Sequence, residues 1–266
     1  MRCAILSRAG ALRAGLLLCC VLCRVGPAQG AKAPLDIVLS NQEWPPYMGE
    51  ALPYQGILSR LVQEAFARGG VRVHYRFYPN NRTLSLARSG AVDGSLGWAP
   101  NEDRKKDLLY TRPVLSARMV FFQHAGPTIR WRALEELSSF RIGVTLGNYY
   151  GAEFDQLTQS GKLKAESVGD DISNLRKVLA KRIDLFPIDE EVGNYLIQQN
   201  FTSHEASQFA VSGLPFWSAP LHVVIWRRHP RAPELVARFN QGLRELQDDG
   251  EFDRLLTQTR TACLAR

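Results

Sequence analysis

The feature that most restricts the fold is an order of elements written twice. The stretch "DIVLS" (36–40) reads as a short apolar strand. "GILSRLVQEAFARGG" follows, with Ile57, Leu58, Leu61, Val62, Ala65 and Phe66 on one helical stripe and Gly69-Gly70 as the stop. "VRVHYRFYP" then alternates Val71, Val73, Tyr75 and Phe77 with Arg72, His74 and Arg76, as a half-buried strand does. A short helix at 83–88 leads to a strand in "SGAVDGSLGW", ending near Trp98. The second half repeats the order. "RIGVTLG" (141–147) is a strand, 149–159 a helix, "KAESV" (164–168) a strand, 171–180 a helix and "RIDLFPID" a strand. "LARSGAVDGSLGW" (86–98) and "LAKRIDLFPID" (179–189) hold the same place in the two halves. Two βαβαβ units predict an α/β fold with two mostly parallel sheets, each covered by helices. Ligands of such sheets sit beyond the carboxyl ends of the strands. The loops at 40–47, 98–104 and 147–150, with Asp189, are therefore predicted to share one cleft. The strand "LHVVIWRR" (221–228) and a helix striped by Leu235, Phe239, Leu243 and Leu246 have no counterpart in the first unit.

The first thirty residues read differently. Arg2, Arg8 and Arg13 precede an apolar run from Leu16 to Cys23, and Ala28-Gln29-Gly30 resembles a small-residue cleavage site. That pattern predicts a cleaved secretory signal peptide at 1–30 and a periplasmic protein. The run is short of the roughly 20 residues a membrane-spanning helix needs. A lipid anchor on Cys19, Cys20 or Cys23 is the less favoured reading, because bulky Leu18 and Leu22 precede two of them. Four of the 33 basic residues and none of the 26 acidic ones fall in 1–30, leaving a near-even balance of 29 to 26. No basic stripe interleaved with aromatics remains, so no nucleic-acid partner is expected. Of five cysteines only Cys263 lies beyond the leader, in what reads as a dispensable C-terminal tail. Without a disulfide the fold must rest on its core.

"QEWPPYMGE" (42–50) places a Trp, two prolines and a Tyr in the first loop. Adjacent prolines restrict the backbone and remove donors, which makes a rigid support for aromatic faces. Trp44 and Tyr47 are read as one wall of the cleft, the competing reading being a plug over the core. Arg82, in "YPNNRTL" after the second strand, is a candidate polar contact. No nucleophile elbow, phosphate-cradling loop or metal-ligand spacing occurs, and the five histidines are scattered, so neither cofactor nor metal is expected.

In order, "QGILSRLVQEAF", "LARSGAVDGSLGW", "NEDRKKDLLYTRP", "RIGVTLGNYYG", "RIDLFPIDEE" and "LQDDGEFDRLL" resemble the bacterial extracellular solute-binding proteins of family 3, receptors of polar amino-acid uptake. The resemblance implies a type II periplasmic-binding-protein fold, two βαβαβ lobes with a ligand cleft between them. It places one lobe at 31–118 and 219–266, the other at 123–214, and hinge crossings at 119–122 and 215–218. It implies a monomer that carries a small polar solute to an ABC-type permease and performs no catalysis. Arg104 matches the family Arg that holds a ligand carboxylate, and Asp189 the Asp that holds its ammonium. Asp189 also reads as a helix N-cap. The family's hydroxyls are missing: Gly97, Trp98 and Ala99 stand before Arg104, and Gly147 is followed by Asn148, Tyr149 and Tyr150. A site rebuilt with Trp44, Trp98 and Tyr149, beside Asn148, favours stacking on a flat or cationic ligand. The same architecture serves dehydratases of prearomatic acids, for which Glu43 is the spare carboxylate, and ligand sensors that dock on a membrane receptor.

Overall fold

The computed structural model describes residues 35–100 and 102–265; the predicted leader at 1–30 lies outside them. The first half runs β1 (Leu35–Asn41), α1 (Ile57–Arg68), β2 (Val71–Phe77), α2 (Asn80–Ser89) and β3 (Gly94–Trp98). A long strand, β4 (Leu108–His124), leads into β5 (Ile142–Thr145), α3 (Ala152–Gln159), β6 (Ala165–Val168), α4 (Asp171–Leu179) and β7 (Phe186–Asp189). Helices α5 (Glu190–Asn200) and α6 (Ser203–Ala206) precede a second long strand, β8 (Phe209–Trp226), and α7 (Ala232–Asp248) and α8 (Glu251–Leu264) close the chain.

The strands order β2-β1-β3-β8-β4-β7, with a parallel β5-β6 pair set beside β7 through a bridge between Ile142 and Leu185. Each half therefore has parallel pairing, β2-β1-β3 in one and β5-β6 in the other, as the doubled pattern predicts. Each is bordered by one member of an antiparallel pair, β8 against β3 and β4 against β7. β4 and β8 pair with each other along almost their whole length, and residues 119–122 and 215–218 lie inside them. Between Met119–Trp217 and Phe121–Ser212 the register slips, because 213–216 bulge out of β8.

The helices form where the periodicity asks for them. The six apolar residues of α1 are all buried and Gly70 turns the chain at φ 70°. Leu235, Phe239, Leu243 and Leu246 of α7 are buried likewise. Several boundaries differ from expectation, two of them in the second unit. The helix expected from 149 starts at Ala152, because Gly151 sits at φ 101°, outside the helical region. The strand expected over "RIDLFPID" shrinks to β7, since only 186–189 face β4. The expected C-terminal tail is corrected more sharply. Residues 251–264 form a helix, and Cys263 is 4% exposed with its thiol toward the Pro53 carbonyl. It is a core residue. Among the described residues no helix is long and apolar enough to cross a membrane.

Helices α1 and α7 approach closely at Gly242. A Cβ there would lie 2.0 Å from the Ala65 carbonyl oxygen. Gly242→Ala gains helix propensity, worth up to about 1 kcal/mol, but must force the two helices apart. Overpacking of this kind costs about 1–3 kcal/mol, so the expected net effect is destabilising. A denaturant melt of the variant that matches or exceeds wild type would contradict this packing.

Candidate functional site

The carboxyl ends of the strands converge on a cleft of about 450 Å³. Gln42, Glu43 and Trp44 reach it from just after β1, Asn80 from the start of α2, Trp98 from the end of β3 and Arg104 from beyond it. The second unit supplies Asn148 and Tyr149 after β5, Asp171 at the start of α4, and Asp189 at the end of β7. Trp217 enters from β8. Of the residues singled out in the sequence, seven line this cleft together: Glu43, Trp44, Trp98, Arg104, Asn148, Tyr149 and Asp189.

Two others do not. Tyr47 is 3% exposed and lies behind Trp44, ring centroids 4.6 Å apart, so it backs the wall instead of forming it. Burial pushes its hydroxyl well above the usual phenol range. Arg82 is exposed, with its guanidinium 5.3 Å from the Tyr78 ring. It follows Asn80 by two positions, about 200° around a helix. Since Asn80 faces the cleft, Arg82 points away.

The aromatic residues are fixed by ordinary packing and hydrogen bonding. Trp98 donates its indole N–H to Ser95 Oγ at 2.8 Å, which leaves its ring to the cleft and to Arg104, whose Cζ lies 5.1 Å from the ring centroid. Arg104 also donates from Nη1 to the Ala99 carbonyl at 3.2 Å. Tyr149 meets Trp217 edge to face at 5.8 Å, and its side chain is 55% exposed at the mouth. Gly151 is required here, since a Cβ would press on Trp217 at 3.1 Å.

Three acidic residues and one arginine line the cleft. Asp189 is 4% exposed, and both its oxygens are engaged. Oδ1 accepts the N–H groups of Glu191 and Val192, capping α5, while Oδ2 accepts Arg118 N–H at 2.8 Å and the Tyr47 hydroxyl at 3.4 Å. Burial outweighs these bonds and pushes its pKa up to about 6. Asp171 accepts the Thr145 hydroxyl at 2.5 Å on Oδ1, and burial raises its pKa as well. Its Oδ2 has no hydrogen-bond partner among the described residues. Glu43 lines the cleft, while its carboxylate caps the turn, accepting Glu50 N–H on Oε1 with Oε2 against Gly49. The longest of the Asp189 bonds, from Tyr47, is the one a ligand donor would most easily displace.

Sequence reasoning missed Gln42, Asn80, Asp171 and Trp217. Asn80 and Asp171 share a signal that was available: each opens the helix after the second strand of its unit, the same place in the repeated phrase. Gln42 is 7% exposed and its Oε1 is buried without a hydrogen-bond partner among the described residues. Trp217 depends on the β8 bulge, which no periodicity announces. A larger cavity, of about 790 Å³, lies between Thr128–Leu134 and 213–216, away from the strand ends, with Arg130 and Arg132 offset by Glu136 and Glu153. It gathers none of the convergent polar groups. Among the described residues no cluster of three or more His, Cys, Asp or Glu could hold a metal.

This architecture has many solved relatives. The second substrate-binding domain of GlnP from Lactococcus lactis, in an open conformation, superposes with a TM-score of 0.65 at 22% identity, covering 88% of this chain and 98% of that one. The amino acid ABC transporter substrate-binding protein AbpA from Streptococcus pneumoniae, bound to L-arginine, gives 0.64 at 17% identity, covering 88% and 97%. A histidine kinase sensor domain with similarity to periplasmic binding proteins gives 0.61 at 19% identity, covering 85% and 95%. At these identities the likeness establishes the fold, a type II periplasmic-binding-protein domain. No curated protein matches the chain in sequence. The family model of bacterial extracellular solute-binding proteins, family 3, matches residues 37–259, and the chain belongs to that family.

Proposed function

We propose that this protein captures a small cationic or amino-acid-like solute in the periplasm and delivers it to an ABC-type permease, without chemical turnover. One observation carries the ligand class: the acidic residues Glu43, Asp171 and Asp189 outnumber the one arginine, Arg104, in the lining of a cleft that also holds the rings of Trp44, Trp98, Tyr149 and Trp217. Excess negative charge between aromatic faces suits an ammonium, guanidinium or quaternary amine. Asp171, with a spare oxygen, is the leading partner for the cation, and Asp189 adds its field from below. Arg104, held over Trp98, is placed to take a carboxylate or another acceptor on the same ligand. AbpA, which shares the fold, was solved with a cationic amino acid. The two lobes, at 31–118 with 219–266 and at 123–214, would close around it by bending at 119–122 and 215–218, inside the β4–β8 pair.

A reading as a sensor finds support in the histidine kinase sensor domain of the same fold. It shares the ligand and differs only in the partner. Purified protein reconstituted with candidate permeases separates the two: ligand-dependent stimulation of transport supports delivery.

The ligand class is tested by calorimetry against basic, neutral and acidic amino acids and simple amines. Cations should bind most tightly, and tighter binding of glutamate or aspartate would overturn the assignment. Asp171→Asn should cost the cation about 2–5 kcal/mol, the range for losing a desolvated charge partner. An unchanged affinity would remove Asp171 from the site.

The aromatic wall separates binding from stability. Trp44→Ala should weaken binding by about 0.5–2 kcal/mol, as for a stacking or cation–π contact, with little change in the melting of the empty protein. Tyr47→Ala should destabilise the fold by about 3–5 kcal/mol, as buried aromatics do. If Trp44→Ala instead unfolds the protein, Trp44 is a plug and not a binding face.

The Asp189 carboxyl gives a pH dependence of known sign. Its folded pKa, about 6, lies above the ordinary 3.8, so its stabilising contribution is complete below pH 4 and is lost as pH rises through 6. At ~1.4 kcal/mol per pH unit the difference is about 3 kcal/mol. The stability of the empty wild type relative to Asp189→Asn should fall by about that amount between pH 4 and pH 7. Cation affinity should run the opposite way, weakening as pH falls through 6 and the carboxylate is protonated. Flat profiles in both measurements would refute the assignment.

A further inference from the structure

The cleft does not end at Arg104. A second compartment, of about 570 Å³, lies along α2 and shares Asn80, Trp98 and Arg104 with the cleft. Beyond that rim it is lined by Leu84, Ser85, Arg88 and Ser89. The cleft alone, at about 450 Å³, falls in the lower part of the 300–1,000 Å³ range of small-molecule sites. The pair reaches its upper end.

The chemistry of the compartment differs from that of the cleft. Beyond the shared Arg104, its cation is Arg88, already matched: Nε and Nη2 donate to Asp107 Oδ2 at 2.9 and 2.6 Å, and Nη1 to Asp103 Oδ2 at 2.8 Å. Past the Arg104 rim, Arg88 is therefore a compensated charge and a poor attractor for an anion. Asn80 and Ser85 have no side-chain hydrogen-bond partner among the described residues and face the space with one amide and one hydroxyl. Leu84 and the Trp98 ring supply apolar surface between them. This is a lining for a neutral, hydrogen-bonding chain.

We propose that the ligand has two parts: a head group held in the cleft and a neutral amide or hydroxyl extension that passes Arg104 and lies along α2. The cationic head rests on the function proposed above; the extension rests only on the shared rim and the neutral lining. A free amino acid would then fill only part of the site, and short amide-linked conjugates of it are the better ligands.

Matched pairs differing only in the extension provide the test. Argininamide is compared with arginyl-glycinamide, glutaminamide with glutaminyl-glycinamide, and glutamic acid α-amide with glutamyl-glycinamide, by calorimetry on the whole protein. The extended member of the best-binding pair should be at least tenfold tighter. Ser85→Trp, at an exposed position of α2, should erase that gain and leave the shorter member within about twofold. Ser89→Trp serves the same purpose if the first variant melts early. Equal affinities within the pair, or a gain that survives both variants, would overturn the proposal while leaving the cation reading intact. A winning glutamyl pair with the gain present would do the reverse, and no binding by any pair would overturn both.

Discussion

One buried carboxylate holds the site together. Asp189 ends β7, caps α5, accepts the backbone N–H of Arg118 on β4 and meets the hydroxyl of Tyr47, which comes from the loop after β1. Four donors, two from the helix it caps and two from distant segments, meet on its two oxygens, and the group is 4% exposed. Burial of a charge is costly unless it is well bonded. Here the bonds come from neutral donors and lower the pKa less than burial raises it, which is why it rises. The same acid thus locates the α5 N-terminus, the aromatic loop and the middle of β4. An N-cap and a cleft carboxylate are one residue in this fold.

The long β4–β8 pair supplies the frame around that point. β3 joins it on one side and β7 on the other, so the two parallel groups of strands aim their carboxyl ends at each other. Strand-end loops from both halves then face a shared space without any loop having to be long. The slip at 213–216 interrupts the frame where Trp217 must turn inward, and Gly151 yields room for its ring. A second link crosses behind the cleft. Arg260 of α8 forms a two-pronged ion pair with Glu191 of α5, two residues from Asp189. Both partners are partly exposed, so this pair contributes little alone. Its placement still ties the last helix to the helix that Asp189 caps.

Most of the fold was legible because it is periodic. Alternation gave β2, the 3.6-residue stripe gave α1 and α7, and repetition of the whole phrase gave the two units and the position of their loops. What periodicity could not supply was which side of a loop or helix each residue takes. Tyr47 and Trp44 are three apart in one loop, yet one is under the wall and the other is the wall. Arg82 was misplaced because a helix that begins at Asn80, earlier than expected at 83, turns it outward. Asp171 was passed over because it was read only as the first residue of the helix at 171–180, whose cap proves to be its neighbour Asp170. Cys263 was taken for part of a tail because fourteen residues after Gly250 carry a weak stripe, and their burial depends on α5 and the turn at Pro53.

The missing hydroxyls before Arg104 and after Gly147 now have a structural sense. A zwitterion's carboxylate is a concentrated charge that asks for several donors at one place. In this cleft the nearby hydroxyls are spent elsewhere: Thr145 Oγ1 donates to Asp171, Ser95 Oγ to the Ser40 carbonyl, and Tyr150 Oη accepts the Thr145 N–H. Arg104 stands as the main donor on its side, flattened against Trp98 and at the rim of the second compartment. The polar resources of the site are concentrated on the carboxylates, which recognise donors. On the function proposed above, such a division of chemistry would favour donor-rich heads and neutral tails. On that proposal the aromatic faces would discriminate by shape among cations that the carboxylates alone treat alike.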